Sequence, residues 1–168
     1  MVKLAGAQEH PLANKYPTRA PVWWARTGPV GKDPNLVGVS GRNIVLRIPK
    51  QFNRLEKFLA RILRAPHEVR RPLDAMNSLM WELCDGSRTF SEVCHIMDDV
   101  FGEEVSPAIQ RTSAAIALLQ STNLLLLLDD PLNERWRIGP GCVPDHQTLM
   151  EGGHREGDDT HPLPGEAK

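Results

Sequence analysis

At 168 residues the chain is long enough to bury one sizeable core but short for two domains. Its hydrophobic content of 40 % and formal net charge of −1 exclude a wholly disordered chain and a polyelectrolyte. Apolar runs such as Leu124–Leu128 are too short to span a bilayer, so we expect one globular domain.

Proline and glycine are concentrated towards both ends of the chain. This distribution predicts a compact domain over residues 37–140, between a poorly ordered N-terminal arm over 1–36 and a disordered tail over 141–168. The Trp23-Trp24 pair stands out in the arm. It either packs on the domain as a strap or forms part of a docking surface.

The cellular compartment is inferred from the N-terminus and the cysteines. Met1–His10 lacks the charged and apolar pattern of a signal peptide. Cys84, Cys94 and Cys142 have no disulfide-framework spacing. We therefore expect reduced thiols and a cytoplasmic location.

Charge is distributed unevenly along the chain. Residues 42–72 carry nine basic and two acidic side chains, whereas residues 73–130 carry two basic and ten acidic ones. Such a dipole either steers a charged partner or reflects two solvated faces that attract each other within the fold.

The apolar, β-branched run Asn43–Ile48 predicts a strand. Val37–Val39 is its candidate partner strand, with Ser40–Arg42 as the turn. The short stretch His67–Arg71 is compatible with extended backbone and predicts a further strand. These segments predict a small antiparallel sheet.

Between these strands, Gln51–Arg64 has the three- and four-residue spacing of an amphipathic helix. Its polar face is basic and carries Arg54, Lys57, Arg61 and Arg64. The pattern is typical of a helix that covers a sheet and exposes its charges, and also of one that lies on a membrane surface. The sequence leaves both alternatives open.

Three more helices follow, each with a recognisable start. They cover about residues 74–84, 90–101 and 107–121, with starts at Asp74, at the capping box of Thr89 and Glu92, and at Ser106 followed by Pro107.

Leu124–Leu128 predicts a buried strand, and Arg135–Ile138 is a candidate return strand. Strands, three helices and a final hairpin follow one another in the order of a winged helix. The predicted fold class is α+β: a winged-helix-like domain with a small antiparallel N-terminal sheet, three helices, a C-terminal β-hairpin and the inserted amphipathic helix.

The stretch LDAMNSLMWELCDGSRTFSEV, from Leu73 to Val93, resembles the central signature of the PqqD-like family. That signature has a leucine and a polar residue at a helix start, an apolar stripe ending in Leu-Cys-Asp-Gly, and then a basic residue, a threonine and a new helix. The chain departs from it at Asp74, where the family often has asparagine, and in the inserted helix. The matching structural positions include Leu73, Trp81, Cys84, Asp85, Gly86 and Thr89.

This resemblance implies a non-catalytic peptide chaperone that needs no cofactor. It would capture the leader of a precursor peptide as an added edge strand and present it to a modifying enzyme, frequently of the radical-SAM type. The guest edge would be His67–Pro72 and the wall would be the third helix. The implied contacts are Val69 and Arg71 on one face of the strand, Arg70 on the other, and Ile109, Thr112, Ile116 and Leu119 on the third helix. Both arginines suit acidic side chains of a leader.

Packing alone also explains many of these residues. Ile109, Ile116 and Leu119 form the apolar stripe that any amphipathic helix carries. Among the motif residues, the apolar ones are expected in the core, and the others form a turn and a cap. An exposed sheet edge could also pair two copies into a homodimer.

Other functions have weaker sequence signals. Cys84, Cys94 and His95 lack the close ligand pairs of a zinc site, and no phosphate loop or carboxylate pair is present, so we expect neither a metal nor catalysis. The helix order also suits a DNA-binding winged helix. Its reading helix would carry Arg111 as its sole basic residue, which disfavours DNA.

Overall fold

The residues that the computed structural model describes are 4, 6–49, 68–145, 147–149 and 153–166. The helix predicted over Gln51–Arg64 and the position of His67 lie outside them. The described chain is mixed α/β, with two small antiparallel sheets and three α-helices. None of the helices in this part is long and apolar enough to cross a membrane.

Five strands and three helices follow one another along the described chain. They are β1 (Tyr16–Arg19), β2 (Trp23–Thr27), β3 (Asn43–Pro49), β4 (Glu68–Pro72), α1 (Ala75–Leu83), α2 (Phe90–Phe101), α3 (Ala108–Ser121) and β5 (Leu125–Leu128), with a short 3-10 turn at Gly102–Glu104 after α2.

The larger sheet has the order β2-β3-β4 and is antiparallel throughout. Leu46 in β3 lies opposite Trp24 on one side and Arg71 on the other. The strands predicted at Asn43–Ile48 and at His67–Arg71 are therefore confirmed over the described residues. Val37–Val39 is not a strand, because β2 occupies the place beside β3 that was predicted for it.

The smaller sheet joins β1 to β5, with Tyr16 opposite Leu128 and Arg19 opposite Leu125. The strand predicted over Leu124–Leu128 is confirmed as Leu125–Leu128, but it is only partly buried, since Leu126 is 42 % exposed. Its predicted return strand, Arg135–Ile138, is wrong. The chain turns instead: the Arg135 guanidinium donates to the carbonyls of Leu132 and Pro131. Because β1 takes the pairing position on β5, the described chain has no C-terminal hairpin.

All three helices predicted from the sequence are confirmed, with local corrections at their ends. The Asp74 carboxylate accepts from Asn77 N–H at 2.7 Å, and Thr89 and Glu92 form the reciprocal capping box at the start of α2. At α3 the capping position is Pro107 itself, and no side chain caps that helix.

The N-terminal segment is part of the fold, which corrects the prediction of a poorly ordered arm over 1–36. It supplies β1 and β2, and Trp24 is fully buried among core residues of β3, α1 and α2. The Trp24 ring lies edge-on to Trp81 of α1, with centroids 6.5 Å apart. Trp23, on the opposite face of the sheet, is 5 % exposed and packs with Ala25 and Val45.

The tail predicted to be disordered over 141–168 also packs on the domain where the structure describes it. Asp159 exchanges two backbone hydrogen bonds with Arg26 of β2, and Glu166 is buried. Gly153 lies so close to the Arg47 guanidinium that there is no room for a side chain at this position. We name residues 153–166 the C-terminal strap.

A buried network of charges joins β2, α1 and the strap. The Arg26 guanidinium donates to Glu82 Oε1 at 2.8 Å and to Glu166 Oε1 at 2.7 Å, and all three side chains are at most 2 % exposed. Glu82 also accepts from the backbone N–H and the hydroxyl of Ser40. Since the charged atoms have partners, the network holds the three segments in one arrangement.

Replacing Arg26 with methionine leaves two buried carboxylates without their cation. We expect Arg26→Met to lower the free energy of unfolding by about 3–5 kcal/mol in urea titrations. The control is Arg42→Met, which removes a partly exposed ion pair with Asp159 and is expected to cost less than about 1 kcal/mol. Equal losses for the two variants would contradict a structural role for the buried network.

Candidate functional site

The backbone groups at the two outer edges of the larger sheet define the candidate site. In an antiparallel sheet, alternate residues turn their N–H and C=O groups to opposite neighbours. Leu73 N–H donates to Ile44 O at 2.8 Å, which fixes this alternation at the end of β4. Val69 and Arg71 therefore bond inward to β3, and Arg70 turns its N–H and C=O outward.

The outer edge of β2 is already occupied. Gly141 N–H donates to Trp24 O at 2.8 Å, and Arg26 exchanges bonds with Asp159 at 2.9 and 2.8 Å. Trp24 and Arg26 are the outward-turned residues of β2 by the same alternation, so these contacts agree with it. The chain itself completes this edge of the sheet.

The outer edge of β4 differs from that of β2. Among the residues that the structure describes, none forms a backbone hydrogen bond with Arg70 on this side. Pro72 turns a carbonyl outward and has no N–H, which ends the row of donors. This edge can accept one further strand at Arg70.

The two faces of β4 have different surroundings. On the face away from the helices, the Arg70 guanidinium forms two 2.8 Å hydrogen bonds with the Asp158 carboxylate and a third with Gly153 O. The hydrogen bonds to Asp158 raise the pKa of Arg70, and the same bonds lower the pKa of Asp158. Arg70 is therefore committed to the strap, and its charge is neutralised.

The helix-side face of β4 carries Val69 and Arg71, which lie opposite Ile48 and Leu46 of β3. Val69 is 43 % exposed. Arg71 is half-buried, and its side chain has no hydrogen bond or ion pair with any described residue. An apolar and a cationic side chain thus stand two residues apart beside the open edge.

The wall that was predicted on the third helix is not available as a binding surface, because most of its residues are buried. Thr112, Ile116 and Leu119 are 1, 0 and 4 % exposed, and α3 packs on α2 and β5. Ile109 is half-buried beside the N-terminal segment, where a Cβ added to Gly6 would lie 3.8 Å from its Cδ1. These side chains belong to the packing of the helices, and the three buried ones are not accessible to a guest peptide.

The residues that carry the family resemblance are structural. Trp81 and Cys84 are fully buried and Leu73 packs at the core margin. Their role is to hold α1 against the sheet.

The Asp85-Gly86 turn and the Thr89 cap connect α1 to α2. Gly86 has φ +76° and sits so tightly that an added Cβ would lie 2.7 Å from Thr18 Oγ1. Asp85 accepts from Ser87 N–H and from Arg88, which fixes the turn. These residues orient the helix pair and contact no part of β4.

The cysteines in the helices are not activated. Burial raises the pKa of Cys84 and of Cys94 to about 12, so both are thiols at neutral pH. Within the described ranges, no group of three or more His, Cys, Asp or Glu side chains is placed to hold a metal ion.

A cavity of about 760 Å³ lies between α2 and the loop of residues 32–36. Its basic residues already have partners: Lys32 pairs with Glu104, and Arg88 pairs with Asp85. No residue of β4 lines it, so it is separate from the open edge.

The strap's hold on β4 depends on the charge of Asp158. We expect Asp158→Asn to speed trypsin cleavage after Arg155, because Arg70 loses its ionic partner, whereas Asp145→Asn, at an exposed position away from the scissile bond, leaves the rate unchanged. An Asp158→Asn strap as resistant as the wild-type strap would show that the pair does not anchor it.

The same ion pair predicts how strap docking depends on pH. The pKa of Asp158 is lowered in the folded chain, so its contribution is complete above the ordinary aspartate value of 3.8 and is lost as the pH falls below it. In a His154→Gln variant, which removes the imidazole next to Gly153 whose Nδ1 lies 3.9 Å from Asp158 Oδ2, the NMR signal of Gly153 should therefore hold its position down to about pH 3.8 and shift below that. A shift completed well above that pH would contradict the assignment to Asp158.

Compared with known proteins, the chain matches no protein family model, no curated protein and no solved structure.

Proposed function

We propose that the chain is a PqqD-like peptide chaperone that binds an extended guest peptide as a fourth strand along β4. The observation that carries the proposal is the outward-turned backbone of Arg70, which lies at the one edge of the larger sheet that no described residue occupies. The resemblance of Leu73–Val93 to the PqqD-like signature supports the same reading. In that family the guest is the leader of a modified peptide.

The guest runs antiparallel to β4 in this proposal. The existing pairs in the sheet are all antiparallel, and a guest residue opposite Arg70 then exchanges two hydrogen bonds with it. Each bond contributes about 0.5–1.5 kcal/mol. Main-chain pairing alone therefore gives weak binding, and selectivity has to come from the side chains beside the edge.

The chaperone role is what the resemblance to the PqqD-like signature implies. The guest would be held in the cytoplasm and presented to a modifying enzyme. In the PqqD-like family this enzyme is frequently of the radical-SAM type. The strap supports this arrangement, because it covers the face of β4 away from the helices, while no described residue pairs with the outer edge of β4.

Arg70 allows the backbone contribution to be tested separately from the side chain. Arg70→Pro and Arg70→Ala both remove the ion pair with Asp158, but only proline removes the outward N–H. Peptides of about twelve residues, selected from a random displayed library on the immobilised wild-type chain, serve as probes. We expect Arg70→Pro to weaken their binding about two- to thirteenfold relative to Arg70→Ala, measured by fluorescence anisotropy.

Circular dichroism establishes that both variants are folded. Edge-strand binding at β4 would be overturned if the two folded variants bound with equal affinity, or if the selection yielded no binding peptide at all.

A further inference from the structure

We propose that Val69 and Arg71 select guests in which an acidic residue and an apolar residue are two positions apart, acidic residue first. This inference rests on the proposed function, because it assumes that the guest pairs with β4. It names the class of peptide that the edge takes: an extended segment with the pattern acidic-x-apolar.

The first step concerns charge on the strap side of β4. Arg70 would be the natural partner of an acidic guest, but Asp158 holds it with two hydrogen bonds and is itself 2 % exposed. On the same face, Arg47 forms an ion pair with Glu68 at 2.8 Å. The strand arginines on this face, Arg47 and Arg70, are therefore neutralised within the fold.

The second step concerns the helix side. Arg71 projects there without a hydrogen bond or ion pair to any described residue, and Val69 exposes 43 % of its surface. Arginine is charged at every physiological pH and binds carboxylates in a planar, two-point geometry. The edge therefore offers one site for a carboxylate and one for an apolar side chain.

The third step is the spacing. Side chains directly opposite each other on paired strands are about 4.5–5.5 Å apart at Cβ, and a strand returns to the same face every second residue. Guest residues opposite Arg71 and Val69 are therefore two positions apart. An antiparallel guest passes Arg71 before Val69, which places the acidic residue first.

The guest residue between these two lies opposite Arg70 and points to the strap side, where the charges are already paired. It exchanges the main-chain hydrogen bonds with Arg70, so its side chain is weakly selected. This gives the pattern its unspecified middle position.

Display selection on the full wild-type chain and on two variants tests the motif. Peptides selected on the wild-type chain should be enriched in acidic-x-apolar, and peptides selected on Arg71→Glu should be enriched in basic-x-apolar at the same spacing. The matched control is Arg137→Glu, an exposed arginine away from β4, which should reproduce the wild-type motif.

N-methylation of the selected peptides separates the two proposals. Methylation of the middle residue of the motif should weaken binding, because its N–H bonds to Arg70 O, whereas methylation of the acidic or the apolar residue should not. If this alternation holds but Arg71→Glu leaves the selected motif unchanged, the motif is overturned and edge binding stands. If methylation has no alternating effect, both are overturned.

Discussion

Every strand at the border of a sheet presents unpaired backbone groups, and this chain meets that constraint differently at its two borders. Gly141 and Asp159 form backbone hydrogen bonds with the outer edge of β2, so that the C-terminal tail acts as a partial fourth strand. At β4, no described residue does the same for Arg70. An open N–H and C=O on a short edge strand is a place where another chain can add. The difference between the edges is the reason that we propose β4 as the binding site.

The buried network around Arg26 explains how this arrangement is maintained. Arg26 forms ion pairs with the carboxylates of Glu82 and Glu166, and these pairs hold the end of the strap against α1 and β2. The strap then passes over the sheet face and holds Arg70 through Asp158. The charge of Arg70 is therefore neutralised inside the fold, and in our proposal Arg71 takes its place in recognising the guest.

The sequence predicted those elements whose signals are local. Periodic apolar residues and caps such as Asp74 and Thr89 define the three helices, and β-branched residues define β3. β1 and β2 were missed because their strand character comes from distant partners. Tyr16 pairs with Leu128, and Arg26 is buried only because Glu82, 56 residues away along the chain, neutralises it. An arginine read locally indicates a solvent-facing position.

For the site, the sequence predicted the strand and the alternation of Val69 and Arg71 against Arg70, but not which arginine is available. The missed signal was in the tail, where Asp158 and Asp159 supply the acidic partners of Arg70 and Arg42. The apolar stripe of α3 could not distinguish a groove from a core, because Ile116 and Leu119 satisfy both patterns. Only the packing of α3 against α2 and β5 decides that they are core.

Amide hydrogen exchange at Arg70 and Arg71, followed by NMR with and without a selected peptide, tests the central claim most directly. The account predicts that the Arg71 amide, bonded to β3, is protected in both states, whereas the Arg70 amide exchanges rapidly in the free chain and becomes protected when the peptide binds. An Arg70 amide that is already protected in the free chain, or that stays unprotected when the peptide is bound, would contradict it.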